Sequence, residues 1–400
     1  MENKQLPLLC SDIECTGCMA CMNACNKKAL AIVQNEEGFY RPSLDADKCT
    51  GCHLCEKSCP ILNAPLRDKQ EVIKVYAGWH KDENIRMSSS SGGAFTALAD
   101  AILQKGGYVV GAAYTDDMRI EHTIISMQED LEKLRLSKYA QSYVGHVLSD
   151  VKALLRDDKY VLFVGTACQA AGLKSFLRKD YEKLVCADII CHGVPSINLL
   201  QAYLKWLEPK TGKVVHVNFR DKQKGWYDNL RVMRNADGKT MSMKGDDDAY
   251  WVAFNRNNCL QECCYRCKTQ GFPRASDITL ADFWRIGHNV PFGHKGEIEK
   301  GVSMIVVNRP SAQWIVDAAA RNMYLEERTY DEAIAGNQAG VKSSVRPESR
   351  NHFYRDLNTM DFDTFRQKYM KPSTKENLVK AFRERLPFWL IKYVRLKKQK

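Results

Sequence analysis

Beyond residue 70 the chain alternates between two hydrophobic rhythms. Residues 71–77, 108–114, 160–164, 183–190 and 278–280 are short apolar runs of strand length, whereas 92–104, 144–155 and 169–177 repeat their apolar residues at helical spacing. Strand and helix in turn predict a mixed α/β domain. Residues 313–323 and 361–370 carry further helical patterning, and Ala333-Ile334-Ala335-Gly336-Asn337-Gln338 reads as the start of a loop over the site. Before residue 70 the pattern differs: 29–33 and 38–41 read as two short strands around a turn at 35–38, set between cysteine-rich loops.

With 400 residues, 44% of them hydrophobic, the chain can bury two or three folding units. No apolar run approaches the roughly 20 residues of a spanning helix, and residues 1–13 lack an apolar region behind a basic one. The expectation is an untargeted, cytoplasmic protein. The net charge of +11 is uneven: residues 1–69 hold 8 basic and 9 acidic side chains, residues 371–400 hold 10 and 2. Most of the excess is a C-terminal tail. Its stretch at 388–398 interleaves aromatic and apolar residues with cations, which suits either a docked final helix or peripheral contact with a membrane surface. No basic stripe elsewhere points to nucleic acid.

Sixteen cysteines change the picture, because they are clustered. Cytosolic thiols stay reduced, so ligation is a stronger reading than a disulfide framework. Cys15, Cys18, Cys21 and Cys25 form C-x2-C-x2-C-x3-C, and Cys49, Cys52, Cys55 and Cys59 repeat it, followed by Pro60. Three closely spaced thiolates wrap three corners of one iron–sulfur cube, and the fourth reaches the neighbouring cluster. That assigns cluster one to Cys15, Cys18, Cys21 and Cys59, and cluster two to Cys49, Cys52, Cys55 and Cys25. Zinc is the competing reading, but paired knuckles show longer spacers or histidines. Asn26 stands where many ferredoxins have proline, and Cys10, outside both motifs, reads as a packing residue. A ferredoxin-type unit carries electrons one at a time, so the remaining chain must supply any organic chemistry. The boundary falls at 63–70, near Pro65 and Arg67-Asp68-Lys69.

Two turns in the larger domain look like sites. Ser88-Ser89-Ser90-Ser91-Gly92-Gly93 precedes a helix whose free amides suit a phosphate, although a serine cap with permissive glycines explains such a string equally well. Phe163-Val164-Gly165-Thr166-Ala167-Cys168-Gln169 runs from a buried strand into a helix and presents Cys168 at the strand's C-terminal edge, where open α/β sheets bind ligands. The next strand ends at Cys191-His192-Gly193-Val194-Pro195-Ser196, and Cys259, Cys263, Cys264 and Cys267 crowd a later segment. A third cluster on Cys168, Cys191, Cys264 and Cys267 is one reading. Spacing does not force it, because Cys259 and Cys263 are also available, buried cysteines are common, and Cys191 beside His192 is also a candidate nucleophile.

At these motifs the chain resembles the family of coenzyme F420 hydrogenase/dehydrogenase beta subunits, fused behind a two-cluster ferredoxin domain. The resemblance spans residues 71 to about 309. It rests on Ser89-Ser90-Ser91-Gly92-Gly93, Ser137-Lys138-Tyr139-Ala140-Gln141-Ser142, Gly165-Thr166-Ala167-Cys168-Gln169, Cys191-His192-Gly193, Phe219-Arg220-Asp221-Lys222, Cys264-x-x-Cys267, Ser276-Asp277-Ile278-Thr279 and Asp282-Phe283-Trp284. It implies a flavoprotein. FAD would lie near Ser90, Ser91, Gly92, Gly93, Lys138, Tyr139, Gln141, Gly165, Thr166 and Gln169, beside a third [4Fe-4S] cluster on Cys168, Cys191, Cys264 and Cys267. Cys259 and Cys263 fall outside the family's recurrent cysteines, and Ala281 and Arg285 stand where glycines are common.

The expected organisation is a two-[4Fe-4S] ferredoxin-type domain at 1–69, a larger mixed α/β flavin- and cluster-binding domain at 70–310, and a helical extension with a basic tail at 311–400. The expected function is an oxidoreductase passing electrons between a two-electron organic substrate, deazaflavin or another, at FAD and one-electron carriers through clusters. Its partner would be a ferredoxin or a redox subunit. Lys138, His192, Asp221 and Lys222 are the catalytic candidates, with Arg220, Asp277 and Asp282 also near the motifs. The alternative is an electron-transfer subunit without its own substrate, serving an enzyme of, for example, cell-surface polysaccharide synthesis.

Overall fold

A computed structural model describes residues 5–63, 74–228 and 230–372 of the chain. Much of the expected domain boundary and the basic stretch at 388–398 lie outside the described residues. Among the described residues no helix is long and apolar enough to cross a membrane.

In the N-terminal unit, β1 (Leu30–Gln34) and β2 (Tyr40–Leu44) pair antiparallel. Asn35 builds the turn between them: its Oδ1 accepts from the amides of Glu37 (3.2 Å) and Phe39 (2.9 Å). On either side of this hairpin, Cys15-Thr16-Gly17-Cys18 and Cys49-Thr50-Gly51-Cys52 follow the same backbone path. Gly17 and Gly51 have φ of 70° and 69°, Met19 and His53 have 60° and 57°, and a short helix follows each loop at Ala20–Ala24 and Leu54–Lys57. Equal sequence gives equal geometry, the internal duplication expected of a two-cluster ferredoxin fold.

The larger unit contributes β3 (Lys74–His80), β4 (Tyr108–Tyr114), β5 (Ile120–Ile125), β6 (Val161–Thr166) and β7 (Leu184–Ile189). It continues with β8 (Val214–Asp221), β9 (Leu230–Asn235), β10 (Thr240–Lys244), β11 (Ile278–Asp282), β12 (Ser303–Val307) and β13 (Met323–Arg328). The main sheet has the order β13-β3-β12-β11-β7-β6-β4-β5. Its centre, β4, β6, β7 and β11, is parallel, and its flanks are antiparallel. Strands β8 to β10 form a separate three-stranded sheet, an element that the hydrophobic pattern did not signal.

Central strands buried on both faces read as continuous apolar runs. Val109, Leu162 and Val185 face the helices Ala94–Leu103 and Gln313–Ala319. Their neighbours Val110, Phe163 and Cys186 face the helices Val147–Arg156 and Ala167–Leu177. The helical pattern read across 313–323 stops at Ala319, and the chain turns into β13, which pairs with β3. Gly78 makes this possible, since a Cβ there would lie 2.5 Å from the Tyr324 carbonyl oxygen and from Leu325 Cδ2. The sheet therefore continues past residue 310.

The two units share one core. Cys18, Met19, Met22, Phe39 and Tyr40 belong to the same buried apolar cluster as Phe163, Ala170 and Leu173. Asn23 pins the contact by donating to the Gly145 carbonyl (2.8 Å) and accepting from the Ser149 amide (3.0 Å). Arg350 grips Glu37 with both guanidinium nitrogens, at 2.7 and 2.5 Å. At the centre of the contact Gly172 leaves room for Cys18: a Cβ at 172 would lie 2.8 Å from Cys18 Cβ and 2.9 Å from its Sγ. Alanine for glycine inside an unhindered helix stabilises by about 1 kcal/mol. Here Gly172→Ala is expected to destabilise by about 1–3 kcal/mol through overpacking. Urea unfolding of the two proteins decides, and a gain in stability would show that the Cys18 contact gives way easily.

Candidate functional site

The helix Ala167–Leu177 starts with a capping box, Thr166 and Gln169, in which the Thr166 amide donates to Gln169 Oε1 at 2.9 Å. The box fixes the strand-to-helix turn and so presents Cys168 at the carboxyl edge of β6, with Thr166 Oγ1 3.1 Å from its Sγ. Cys191 follows the end of β7 in the same way. Cys264 and Cys267 come from a 3-10 turn, Glu262–Arg266, and the residue after it. These four thiols line one cavity of about 180 Å³ together with Cys263 and Arg274.

Two further cavities adjoin it. A small one of about 20 Å³ is lined by Cys15, Cys18, Cys21 and Cys59, the four residues that spacing assigned to cluster one, along with Cys10 and Cys55. Cys55 in turn interacts with Cys25 and Cys52, and the amides of Ala29 and Gly51 donate to the sulfurs of Cys25 (3.3 Å) and Cys49 (3.4 Å). The third cavity is large, about 580 Å³, within the usual range for cofactor and ligand sites. It lies along the carboxyl ends of β6, β7 and β11, where open α/β sheets take their ligands. Cys168, Cys191, His192 and Thr166 line both the large cavity and the cysteine cavity, and Thr16 lines all three. Among the described residues no group of three His, Cys, Asp or Glu side chains is placed to hold a single metal ion.

Of the residues expected to hold a flavin, Ser90, Ser91, Gly93, Lys138, Tyr139, Gln141, Gly165, Thr166 and Gln169 line the large cavity. Gly92 is not among the lining residues. A Cβ there would come within 2.4 Å of the Gly78 carbonyl oxygen, so its smallness serves backbone packing. Two of the amides read as free for a phosphate, those of Gly92 and Ala94, donate to Ser303 Oγ at 2.9 and 3.4 Å. Ser90 Oγ accepts from the Ser137 amide (3.0 Å), which joins two motifs distant in sequence.

The catalytic candidates separate. Lys138 and His192 line the cavity, as do Arg220 and Asp282, whose side chains pair at 3.5 Å. His192 Nε2 lies 2.6 Å from Asn257 Oδ1, so the imidazole is engaged there rather than with Cys191. Asp221 and Lys222 stand outside the lining. Asp221 accepts from Asn218 Nδ2 (3.1 Å) and the Gln223 amide (2.9 Å), as a turn residue does. Lys222, 3% exposed, donates to the carbonyls of Arg86 and Ser91 at 2.5 Å and of Lys300 at 2.9 Å. Burial pushes its amine down, to about 7, but three surrounding acceptors need the three N–H groups that only the ammonium has. It ties the serine loop from behind. Asp277 is likewise structural, accepting from the Cys186 amide (2.7 Å) and Lys174 Nζ (3.0 Å) across β7 and β11.

Sequence reasoning missed His122, Trp251, Phe254 and Ser303. His122 is 6% exposed and lines the large cavity, its ring stacks on Phe163, and neither ring nitrogen has a partner at hydrogen-bonding geometry. Burial pushes it down to about 4, so it is a neutral imidazole with a donor to offer. A single histidine in an alternating strand carries no motif. Arg285, where glycine is common in the resembling pattern, takes φ 64°, the left-handed backbone that glycine prefers. Gly336, beside the cavity, is obligatory, because a Cβ there would sit 2.0 Å from the Trp284 carbonyl oxygen.

Comparison with known proteins matches these parts. Residues 75–149 and 158–333 match the N-terminal and C-terminal domains of the coenzyme F420 hydrogenase/dehydrogenase beta subunit, and residues 14–62 match the 4Fe-4S dicluster domain. A subunit of the F(420)H(2) dehydrogenase of Methanosarcina mazei is 25% identical over 266 residues, covering 63% of this chain and 72% of that protein. The methylamine utilization ferredoxin-type protein MauM of Methylobacillus flagellatus is 36% identical over 63 residues, 14% of this chain, and the chain spans only 27% of it. A chain of the F420-reducing [NiFe] hydrogenase complex from Methanosarcina barkeri aligns with a TM-score of 0.45 and 18% identity over 68% of this chain and 93% of that one.

Lys138 gives a pH test of the cavity wall. Its Nζ donates to the carbonyls of Lys133 (3.1 Å) and Arg135 (2.5 Å), and burial pushes its amine down to about 7. Between that value and the unfolded lysine's pKa of about 10.4 the unfolded chain binds more protons, so stability rises with pH across this window. Lys138→Met removes the effect. Between pH 7 and 9 the parent is expected to gain about 1–2 kcal/mol more than the variant in urea unfolding, below the full linkage value because the side chain is only partly buried. Equal pH dependence would mean that the amine titrates normally.

Proposed function

We propose that this chain, which belongs to the family of coenzyme F420 hydrogenase/dehydrogenase beta subunits, is an iron–sulfur flavoprotein oxidoreductase linking a two-electron organic substrate to one-electron carriers. The observation that carries the proposal is the continuity of the three cavities: a large ligand cavity, a cysteine cavity and the ferredoxin cavity meet at Thr16, and the first two share Cys168 and Cys191. FAD, when bound, supplies two-electron exchange with an organic molecule and one-electron exchange with a cluster, and [4Fe-4S] clusters supply single-electron transfer.

The residues present fit these groups. Five thiols on one enclosed wall are a donor set for iron and sulfide, of which Cys168, Cys191, Cys264 and Cys267 would hold the third cluster. The large cavity offers the buried imidazole of His122, the serine pair Ser90 and Ser137, and aromatic walls from Tyr139, Trp251, Phe254 and Trp284. Such walls exclude water from a reacting ring and stack against it. Arg220, lying over Trp284 at 4.8 Å and paired with Asp282, is the charged group placed to orient an organic substrate beside the flavin. The name of the Methanosarcina mazei relative favours the deazaflavin F420 as that substrate. Cys52, exposed while the other seven N-terminal motif cysteines are buried or half-buried, marks the side that a ferredoxin or redox subunit would approach.

Iron, sulfide and flavin analysis of anaerobically purified protein, with visible spectra before and after dithionite, tests the reading. About twelve irons and one flavin per chain are expected. About eight irons without flavin would leave an electron-transfer subunit that serves a partner enzyme.

A further inference from the structure

The cysteine cavity holds one thiol more than a four-iron cluster needs. Cys263 lines it with Cys168, Cys191, Cys264 and Cys267. Cys263 and Cys264 are consecutive residues of one short turn, so two neighbouring thiols reach the same cavity. Cys264 lies in the 3-10 turn Glu262–Arg266 and Cys267 follows it as the C-cap, and both line the cavity. Cys263, one residue before Cys264 in the same turn, lines it as well.

We infer that Cys263 and Cys264 share one corner of the third cluster, with Cys168, Cys191 and Cys267 as its fixed ligands and Cys263 able to replace Cys264. The inference rests on the third cluster proposed above. The geometry supports a shared corner at this position alone among the four: Cys168 has Thr166 beside its sulfur, Cys267 has Thr269 at 3.3 Å, and Cys191 lies on a strand-end loop without an adjacent thiol. A hydroxyl donates to a ligand sulfur but does not replace a thiolate as a soft ligand for iron. A shared corner also gives the site two ligand spacings, C-x2-C and C-x3-C, ending on the same Cys267.

The test compares iron and sulfide content and low-temperature EPR spectra of the dithionite-reduced full-length chain and its variants. Cys264→Ala is expected to retain about twelve irons with an altered third signal, and Cys263→Ala to retain about twelve with an unaltered one. The double variant and Cys267→Ala are each expected to fall to about eight. Retained ferredoxin signals show in each case that the chain has folded. A fall to about eight irons in Cys264→Ala alone, or retention of twelve in the double variant or in Cys267→Ala, would overturn the shared corner. Eight irons in the parent would instead remove the third cluster itself, a distinct result.

Discussion

The contact between Cys18 and Gly172 is the constraint on which the rest of the structure depends. Electron transfer between buried redox groups needs them close together, and closeness here requires a cysteine loop of one unit to lie directly on a helix of the other. Any side chain at 172 would occupy the space of Cys18 Cβ and Sγ. The same helix begins five residues earlier and carries Cys168 in its first turn, so one rigid element touches the first cysteine loop and the cysteine cavity. Docking and wiring are thus one geometric fact. The merged apolar core, the Asn23 bridge and the Arg350–Glu37 pair hold the ferredoxin unit in that pose. Gln141 and Gln261 complete the seam: Gln141 accepts from the Tyr40 amide at 2.8 Å, and Gln261 donates to the Cys15 carbonyl at 2.6 Å.

Burial on this scale acts on the cysteines themselves. Desolvation pushes the thiols of Cys18 and Cys191 up to about 12, and Cys21 and Cys168 also move upward. Thiolates in such places need positive charge at contact distance. Bound iron would supply it directly, since a coordinating thiol is deprotonated outright. Burial pushes the Cys15 thiol up as well, and nearby cations offset part of the effect: Arg41 at Cys15, and Arg274 at Cys191, where Arg274 also pairs with Asp188 in a site where both side chains are almost fully buried. Cluster assembly and the final packing of the interface are therefore coupled, in the way that metal binding couples to folding in other thiolate sites.

How much of this was legible in the sequence follows from the range over which each signal acts. Cysteine spacing is local chemistry, and Cys15, Cys18, Cys21 and Cys59, grouped by their spacing, line one cavity together with Cys10 and Cys55. The parallel strands were legible because both faces are buried and their apolar runs are unbroken. The sheet of β8 to β10 was not, because its edge strand β10 is only five residues long with Met241 and Met243 half-buried, and β8 and β9 pair with register shifts and carry the buried arginines Arg220 and Arg231. Polar residues at motifs were harder to sort. Lys138 and Lys222 look equivalent in sequence, yet one lines the cavity and the other holds three carbonyls behind the serine loop. Which backbone oxygens surround an amine depends on chain crossings far apart in sequence, and a single chain's pattern does not encode them visibly. His122 was invisible for the same reason.

The segment 336–339 shows how the architecture divides stability from selectivity. The sheet, the capping box and the cysteine loops fix three walls of the large cavity, and each is tied by backbone or apolar packing that tolerates little change. The remaining wall comes from Gly336, Asn337, Gln338 and Ala339. Asn337 Nδ2 donates to the carbonyls of Asp282 (3.1 Å) and Ala333 (2.9 Å), which fastens this wall to the end of β11, and Gly336 lets the chain press onto the Trp284 carbonyl. Gln338 and Ala339, by contrast, owe nothing to packing constraints of that kind. The exposed Gln338 side chain donates to the carbonyl one turn back, at Ile334, and its own carbonyl accepts from the Val341 and Lys342 amides. On the proposed reading, the fixed walls would hold the cofactors and this wall would face the substrate, an arrangement that can keep one electron path while changing the molecule at its end.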